Sequence, residues 1–157
     1  MEPWVETFTS ACLYRMEESE RMIRICLHRL PEPLLWKRPN PASNSPGNLI
    51  LHLCGNLRQY IISGLGGAPD HRDRESEFAD TAQGSKAALW EQLRSVLEQS
   101  RTVIQAQNGE QLLDRHKVQG FEFSGLGMAL HAVEHLSYHT GQLAYLLKSA
   151  TGEDLGF

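Results

Sequence analysis

Four long segments with apolar residues at helical spacing, separated by links rich in proline and glycine, most constrain the fold of this chain. The first runs from Trp4 to Leu30 and stops at Pro31, because proline cannot continue a helix. The second begins after Ser45 and Pro46, a helix-capping residue followed by a proline suited to the first turn, and runs to about Gly64.

The third and fourth segments carry similar boundary signals. Ser85 is placed to cap a third helix with a charged outer face, and the pair Asn108 and Gly109 is expected to end it. Ser124 is placed to cap a fourth helix spanning about 125–149. We therefore predict an all-α four-helix bundle forming a single domain over residues 1–157.

The links between these segments carry little regular pattern. A glycine-rich stretch, residues 64–78, joins the second and third helices, and we call its second half, DHRDRESEF (70–78), the charged loop. The two phenylalanines around Glu122 are consistent with one extended piece, which by itself does not make a sheet. Arg72 and Arg74 could bind an anionic group, but the acids among them favour self-paired surface charge or a dimer contact.

Composition excludes several classes of protein. With 41% hydrophobic and 22% charged residues and a net charge of −4, the chain can bury a core and offers no broad basic surface, so a nucleic-acid partner is not expected. Acids near the start argue against a secretory signal, and no stretch approaches the roughly 20 apolar residues of a membrane span, so we expect a cytoplasmic protein without membrane contact. Cys12, Cys26 and Cys54 lack metal-site or disulfide spacing and are interpreted as reduced, helix-packing thiols.

Three histidines share one face of the fourth predicted helix. His131, His135 and His139 are each four residues apart, so their imidazoles project one turn above each other, on a face that also holds apolar residues. Because a buried imidazole without a partner is costly, this arrangement favours a metal ion over simple packing. The pattern is not HExxH, so a zincin protease is not indicated.

A further ligand should come from a neighbouring helix. His52 is the best candidate, since it borders the buried stripe of the second predicted helix, although a lone histidine there is more often a packing residue. Imidazole ligands contribute no negative charge, so a bound ion would keep its full positive field and open positions for water or substrate.

Several segments together resemble the DinB/YfiT-like family of metalloenzymes. They are NSPGNLILHLCGNLRQYIISGLGG (44–67), the charged loop, HLSYHTGQ (135–142) and the terminal TGEDLGF, so the resemblance covers nearly the whole chain. It implies a four-helix bundle, commonly a homodimer, that binds nickel or zinc. The implied ligands are His52, His135 and His139.

The resemblance leaves other residues with open roles. His131 becomes an extra residue, interpreted as packing or as a hydrogen-bond partner near the metal. Asn56 and Gln142 match the GN and GQ positions of the family and either orient a ligand or the incoming group, or simply join helices. Tyr138 and Glu134 flank the histidine face as acid or base candidates, with a solvated side chain the favoured interpretation for Glu134.

The resemblance also suggests a function. Family members with assigned activity, such as bacillithiol transferases and the mycothiol-dependent maleylpyruvate isomerase, use the metal to activate a low-molecular-weight thiol. We therefore expect a metal-dependent transferase that joins a small-molecule thiol to an electrophile. A metal-dependent hydrolase, a non-catalytic metal-binding stress-response protein and a plain structural bundle are the alternatives.

Overall fold

All four predicted helices are present in the computed structural model of the protein, which describes residues 2–157. The helices and strands are α1 (Pro3–Arg29), α2 (Pro46–Leu57), α3 (Lys86–Gln105), α4 (Gly109–Leu113), β1 (Arg115–Val118), β2 (Phe121–Ser124) and α5 (Gly125–Thr151). A π-helix, Arg58–Leu65, continues directly from α2, and single 3-10 turns lie at Glu32–Leu34 and Ser76–Phe78. The all-α prediction is confirmed.

Serine side chains begin three of the long helices, as the sequence indicates. Each hydroxyl of Ser45, Ser85 and Ser124 accepts a hydrogen bond from the backbone N–H three residues later. At Ser45 the cap is reciprocal, because the side-chain oxygen of Asn48 accepts a hydrogen bond from the Ser45 backbone N–H. These bonds satisfy N–H groups that the first turn of a helix leaves unpaired, which fixes where each helix starts.

The long helices enclose one continuous apolar core. Helix α1 packs against α3 and α5, while α2 packs against the same two helices from the opposite side. Large side chains that are fully or almost fully buried include Met16, Ile23, Leu53, Leu57, Leu93, Leu97, Leu136 and Leu147. Because α2 and α5 are direct neighbours, polar side chains on their facing surfaces can meet inside the bundle.

The predicted end of the third helix is wrong by several residues. Helix α3 ends at Gln105, and Asn108 instead caps the short helix α4. The Asn108 side chain accepts from the Gln111 backbone N–H at 2.9 Å, and the Gln111 side chain accepts from the Asn108 backbone N–H at 2.9 Å. Asparagine is common at both ends of helices. Its reciprocal bonds with Gln111 show that Asn108 lies at the start of α4 and not at the end of α3.

The prediction that the segment around Glu122 makes no sheet is also wrong. Strands β1 and β2 form an antiparallel hairpin in which Val118 pairs with Phe121 and His116 pairs with Phe123. Its turn residues Gln119 and Gly120 both have positive φ, 53° and 80°. Two-residue hairpin turns of this kind usually have the sequence Asn-Gly or Asp-Gly. Because glutamine occupies the first turn position here, the sequence does not indicate the turn.

The three cysteines are free and buried, in agreement with the sequence interpretation. Burial raises the pKa of the Cys12 and Cys26 thiols to about 11 and that of Cys54 to about 12. These thiols therefore stay protonated at neutral pH. Across residues 2–157, none of the helices combines the length and apolarity that crossing a bilayer requires.

Candidate metal centre

His52 on α2 and His135 and His139 on α5 meet where the two helices pack together. The Nε2 atoms of His52 and His135 are 2.9 Å apart, and those of His135 and His139 are 3.2 Å apart. One ligand atom from each of the three rings lies within 4.8 Å of the other two. His52 is buried and the α5 pair is partly buried, so the group lies at the edge of the core.

Two of the three rings are oriented by partners at their outer nitrogens. Nδ1–H of His52 donates to Oε2 of Glu77 at 2.8 Å, and Nδ1–H of His139 donates to Oε1 of Gln142 at 2.7 Å. A neutral imidazole has one N–H, so these bonds leave the Nε2 atom of each ring with a lone pair directed at His135. Histidine ligands of metals are commonly fixed in this way.

The convergent nitrogens fit a divalent metal ion. Tetrahedral ligands at the usual zinc–nitrogen length lie roughly 3.3 Å apart, close to the observed spacings of 2.9 and 3.2 Å. A proton on Nε2 of His135 can serve only one of its two neighbours, whereas one cation satisfies all three lone pairs. Nδ1 of His135 is buried without a hydrogen-bond partner among residues 2–157, so no bond at its outer nitrogen orients this ring.

His135 and His139 are prepared for metal binding because their environment opposes protonation. Burial, followed by the nearby charges of His139 and His52 when these are protonated, lowers the pKa of His135 to about 3. Burial also lowers the pKa of His139, although its hydrogen bond to Gln142 acts in the opposite direction. Neutral imidazoles have the lone pairs that bind cations, so no proton competes at His135 near neutral pH.

Glu77 connects the histidine group to the charged loop. The Arg72 guanidinium grips its carboxylate with two bonds, Nε to Oε1 at 2.7 Å and Nη2 to Oε2 at 2.9 Å. Only 3% of the Arg72 side chain and 7% of the Glu77 side chain are exposed. Burial alone would raise the pKa of the Glu77 carboxyl, but the bonds from Arg72 and then His52 outweigh it and hold the pKa below its usual range.

The sequence interpretation of the charged loop therefore needs correction. Arg72 is self-paired within the loop as predicted, but the pair is buried against a candidate ligand and does not lie on the surface. Sequence reasoning missed Glu77 as a site residue and did not connect Arg72 with His52. The available signal was Gly55, one turn after His52 on α2, since a glycine inside a helix indicates close approach by another group.

Gly55 and Asn48 make the position of Glu77 possible. A Cβ on Gly55 would overlap Oε1 of Glu77, so only glycine leaves space for the carboxylate on this face of α2. Nδ2 of Asn48 donates to the Glu77 backbone carbonyl at 3.0 Å and to that of Ala79 at 3.1 Å. The segment around Glu77 is thus held by both its backbone and its side chain.

His131 lies one turn from His135 but outside the converging group. Its ring stacks against Tyr60 with centroids 4.2 Å apart, and its Nε2 lies 3.4 Å from Nδ2 of Asn56. Burial lowers the pKa of His131, so it too is neutral near pH 7. This placement agrees with packing or a neighbouring hydrogen bond, the roles that the sequence leaves open for it.

The remaining candidates differ in their burial and in their contacts with the histidines. The Asn56 side chain contacts His131, and its Oδ1 is buried without a partner among residues 2–157. Tyr138 is 63% exposed, with its ring perpendicular to that of His139 at 5.0 Å. Glu134 is exposed, as expected for a solvated side chain, and Arg74 lies over the Phe78 ring and contacts no member of the histidine group.

A cavity of about 530 Å³ adjoins the site through Gln142. It lies between the segment 39–44 and α5, and its lining includes Asn40, Ser43, Asn44, Leu49, Gln142 and Tyr145. None of its lining residues is charged. A larger groove of about 800 Å³ lies between the end of α1 and the start of α3 and shares no lining residue with the histidine group.

Solved structures with the same architecture support the fold. A DinB-like protein from Bacillus cereus has a TM-score of 0.73 at 18% identity, with 97% of this chain and 95% of that chain covered. A DinB-like protein from Bacillus subtilis has a TM-score of 0.71 at 16% identity, covering 94% and 96% of the two chains. A conserved protein from Enterococcus faecalis has a TM-score of 0.75 at 17% identity, covering 92% and 98%. At these identities the likeness establishes the fold alone.

Sequence comparison is more specific. No curated protein matches the chain at a significant level. The family profile described as Mycothiol-S-transferase matches residues 14–152, a range that contains His52, His135 and His139 together with Glu77 and Gln142. The match covers most of the chain and agrees with the DinB-like architecture, so the chain belongs to the mycothiol S-transferase family of DinB-like proteins.

Proposed function

We propose that this protein is a metal-dependent S-transferase that joins a small-molecule thiol to an electrophile. His52, His135 and His139 hold a divalent ion, nickel or zinc, and the thiol binds on the side that the three rings leave open. The observation that supports this most strongly is the convergence of three Nε2 atoms, two of them fixed by Nδ1–H donation to Glu77 and Gln142. The family assignment supplies the thiol as the substrate class.

The donor set suits thiol activation. A metal ion held only by neutral imidazoles lowers the pKa of a bound thiol, so that a thiolate is available near neutral pH. The chain's own task is to keep the rings aligned and His135 neutral: the two Nδ1–H acceptors orient His52 and His139, and burial keeps His135 unprotonated. With such an ion in place, the thiol proton would pass to solvent, the sulfur would form a bond to a carbon of the electrophile, and the displaced group would leave with the bonding electron pair.

The uncharged cavity beside Gln142 provides a place for the organic part of a substrate. Its wall includes the same Gln142 that orients His139, so a ligand in it would contact the residue that supports one of the candidate ligands. Asparagine and serine side chains line it together with Leu49 and Tyr145, which favours a neutral ligand with hydroxyl or amide groups over a strongly anionic one.

Turnover by tag-free, metal-loaded protein tests the proposal. Elemental analysis should find about one divalent ion per chain, as expected for a three-histidine site. Conjugation of low-molecular-weight thiols to a panel of electrophiles should be measured with and without chelator, and His139→Ala should be inactive. Loaded protein that hydrolyses substrates without thiol would favour the hydrolase, and loaded protein with neither activity would favour a non-catalytic metal-binding protein. The homodimer implied by the family resemblance stays a prediction, which light scattering can check.

A further inference from the structure

The three candidate ligands differ in the hydrogen-bond partner of their outer nitrogen, Nδ1. His52 has a carboxylate at its outer nitrogen, His139 has a neutral amide, and Nδ1 of His135 has no partner among residues 2–157. A carboxylate that accepts from Nδ1–H increases the electron density at Nε2 and fixes the ring, whereas an amide only fixes it. His52 is therefore placed to be the strongest of the three donors.

The carboxylate itself is held from several directions. Besides its two bonds to Glu77, the Arg72 guanidinium donates from Nη1 to Oε1 of Gln59 at 2.9 Å. Gln59 in turn donates to Asp70 at 2.8 Å, and Asp70 accepts from the Arg72 backbone N–H at 3.0 Å. The π-helix, through Gln59, and the charged loop thus form one hydrogen-bonded unit that ends at Nδ1 of His52.

We propose that the charged loop, residues 70–78, is a brace for the metal ligand His52, in which Glu77 is a positioning residue and Arg72 keeps its carboxylate in place. This inference rests on the metal centre of the proposed function. Its consequence follows from thermodynamic linkage: if the brace strengthens metal binding, metal binding must stabilise the loop by the same factor. The loop then reports whether the metal centre is loaded, although it contributes no ligand.

The metal affinity of loop variants tests whether the charged loop strengthens metal binding. Glu77→Gln keeps an acceptor for His52 but removes the negative charge, and the dissociation constant for zinc, measured by chelator competition, should rise about 10- to 100-fold. Glu75→Gln is the matched control, since it removes an exposed charge two residues away in the same loop and should leave the constant unchanged. Because Glu77→Gln leaves Arg72 buried without a counter-charge, the double variant Arg72→Met with Glu77→Gln should also be measured and should be weakened similarly.

Hydrogen exchange of the wild-type protein and of the same two single variants tests whether metal binding stabilises the loop. Zinc should slow amide exchange in residues 70–78 in the wild-type protein and in Glu75→Gln, and the slowing should be lost in Glu77→Gln. A merely structural role for Glu77 would lower the thermal stability of the metal-free protein without changing the zinc constant or the zinc-dependent exchange of the loop. That pattern, or wild-type loop exchange that is the same with and without zinc, would overturn the brace.

The results separate the brace from the proposed function. Wild-type protein that binds no divalent ion would overturn both. Wild-type protein that binds zinc, with the same constant in Glu77→Gln, would overturn the brace and leave the transferase proposal standing. Zinc binding that depends on Glu77, in a protein without thiol transfer, would support the brace and contradict the proposed function.

Discussion

The two sides of the histidine group are built in different ways. On the α2 side, His52 is buried and backed by an ionised Glu77 that Arg72 and Asn48 hold in place. On the α5 side, one helical turn fixes the spacing of His135 and His139. Of these two, only His139 has a hydrogen-bond partner at Nδ1 within residues 2–157, the exposed amide of Gln142.

This difference separates two tasks. Helix α5 supplies a fixed spacing between two nitrogens through its backbone, which needs no support from distant residues. Helix α2 supplies one nitrogen whose orientation and electron density depend on a loop that follows it in sequence. The site therefore has a geometric half and an electrostatic half, and changes on the two sides should have different effects.

The largest effect is expected when the geometric half loses a ligand. His139→Ala leaves two imidazoles, too few to retain a divalent ion through gel filtration, so the metal content should fall from about one ion per chain to near zero. His131→Ala is the control: it should keep its metal and lose about 1 kcal/mol of stability with the Tyr60 stacking. Elemental analysis and thermal unfolding check both. Metal retained by His139→Ala would show that another group is the ligand.

A smaller effect is expected from filling the space at Gly55. In Gly55→Ala the new methyl group overlaps the Glu77 carboxylate, so the free energy of unfolding should fall by about 1–3 kcal/mol and zinc binding should weaken about tenfold. Gly141→Ala on α5 is a matched control, because nothing lies within 4 Å of its added Cβ. It should gain about 0.5–1 kcal/mol from the better helix propensity of alanine. Equal stability of the two variants in urea titrations would contradict the close packing at Gly55.

The smallest effect is expected from giving His139 a carboxylate partner, as His52 already has in Glu77. In Gln142→Glu a carboxylate accepts from His139 in place of the amide, but the residue is exposed and its charge is screened, so zinc binding should tighten only about threefold. Gln142→Leu, which removes the acceptor, should weaken binding. Chelator competition measures both. A loss as large as that expected for Glu77→Gln would mean that the two sides do not differ.

Local patterns explain what the sequence could predict. Apolar spacing and capping serines located the four long helices, because both signals act within a few residues along the chain. The HxxxH pair on α5 is local in the same sense. His52 was placed by its position beside the buried stripe of α2 and by family resemblance, and the structure brings it to the other two histidines.

What the sequence did not predict depends on contacts between distant residues or on turns with atypical residues. Glu77 reaches His52 across 25 positions, and whether its charge is buried depends on how the loop folds over Gly55. In the hairpin, Gln119 stands where asparagine or aspartate would signal the turn. At Asn108, capping preferences allow either end of a helix, and only the bond to Gln111 decides between them.

The buried cysteines have a consequence for the proposed transfer of a thiol to an electrophile. With thiol pKa values of about 11 to 12, Cys12, Cys26 and Cys54 present almost no thiolate at neutral pH and no surface to a reagent. The folded chain is thus protected from alkylation by the electrophile, and from mixed disulfides with the thiol, of the proposed function. The three cysteine thiols become reactive only on unfolding. Iodoacetamide labelling therefore measures directly how much of a sample has lost its native packing.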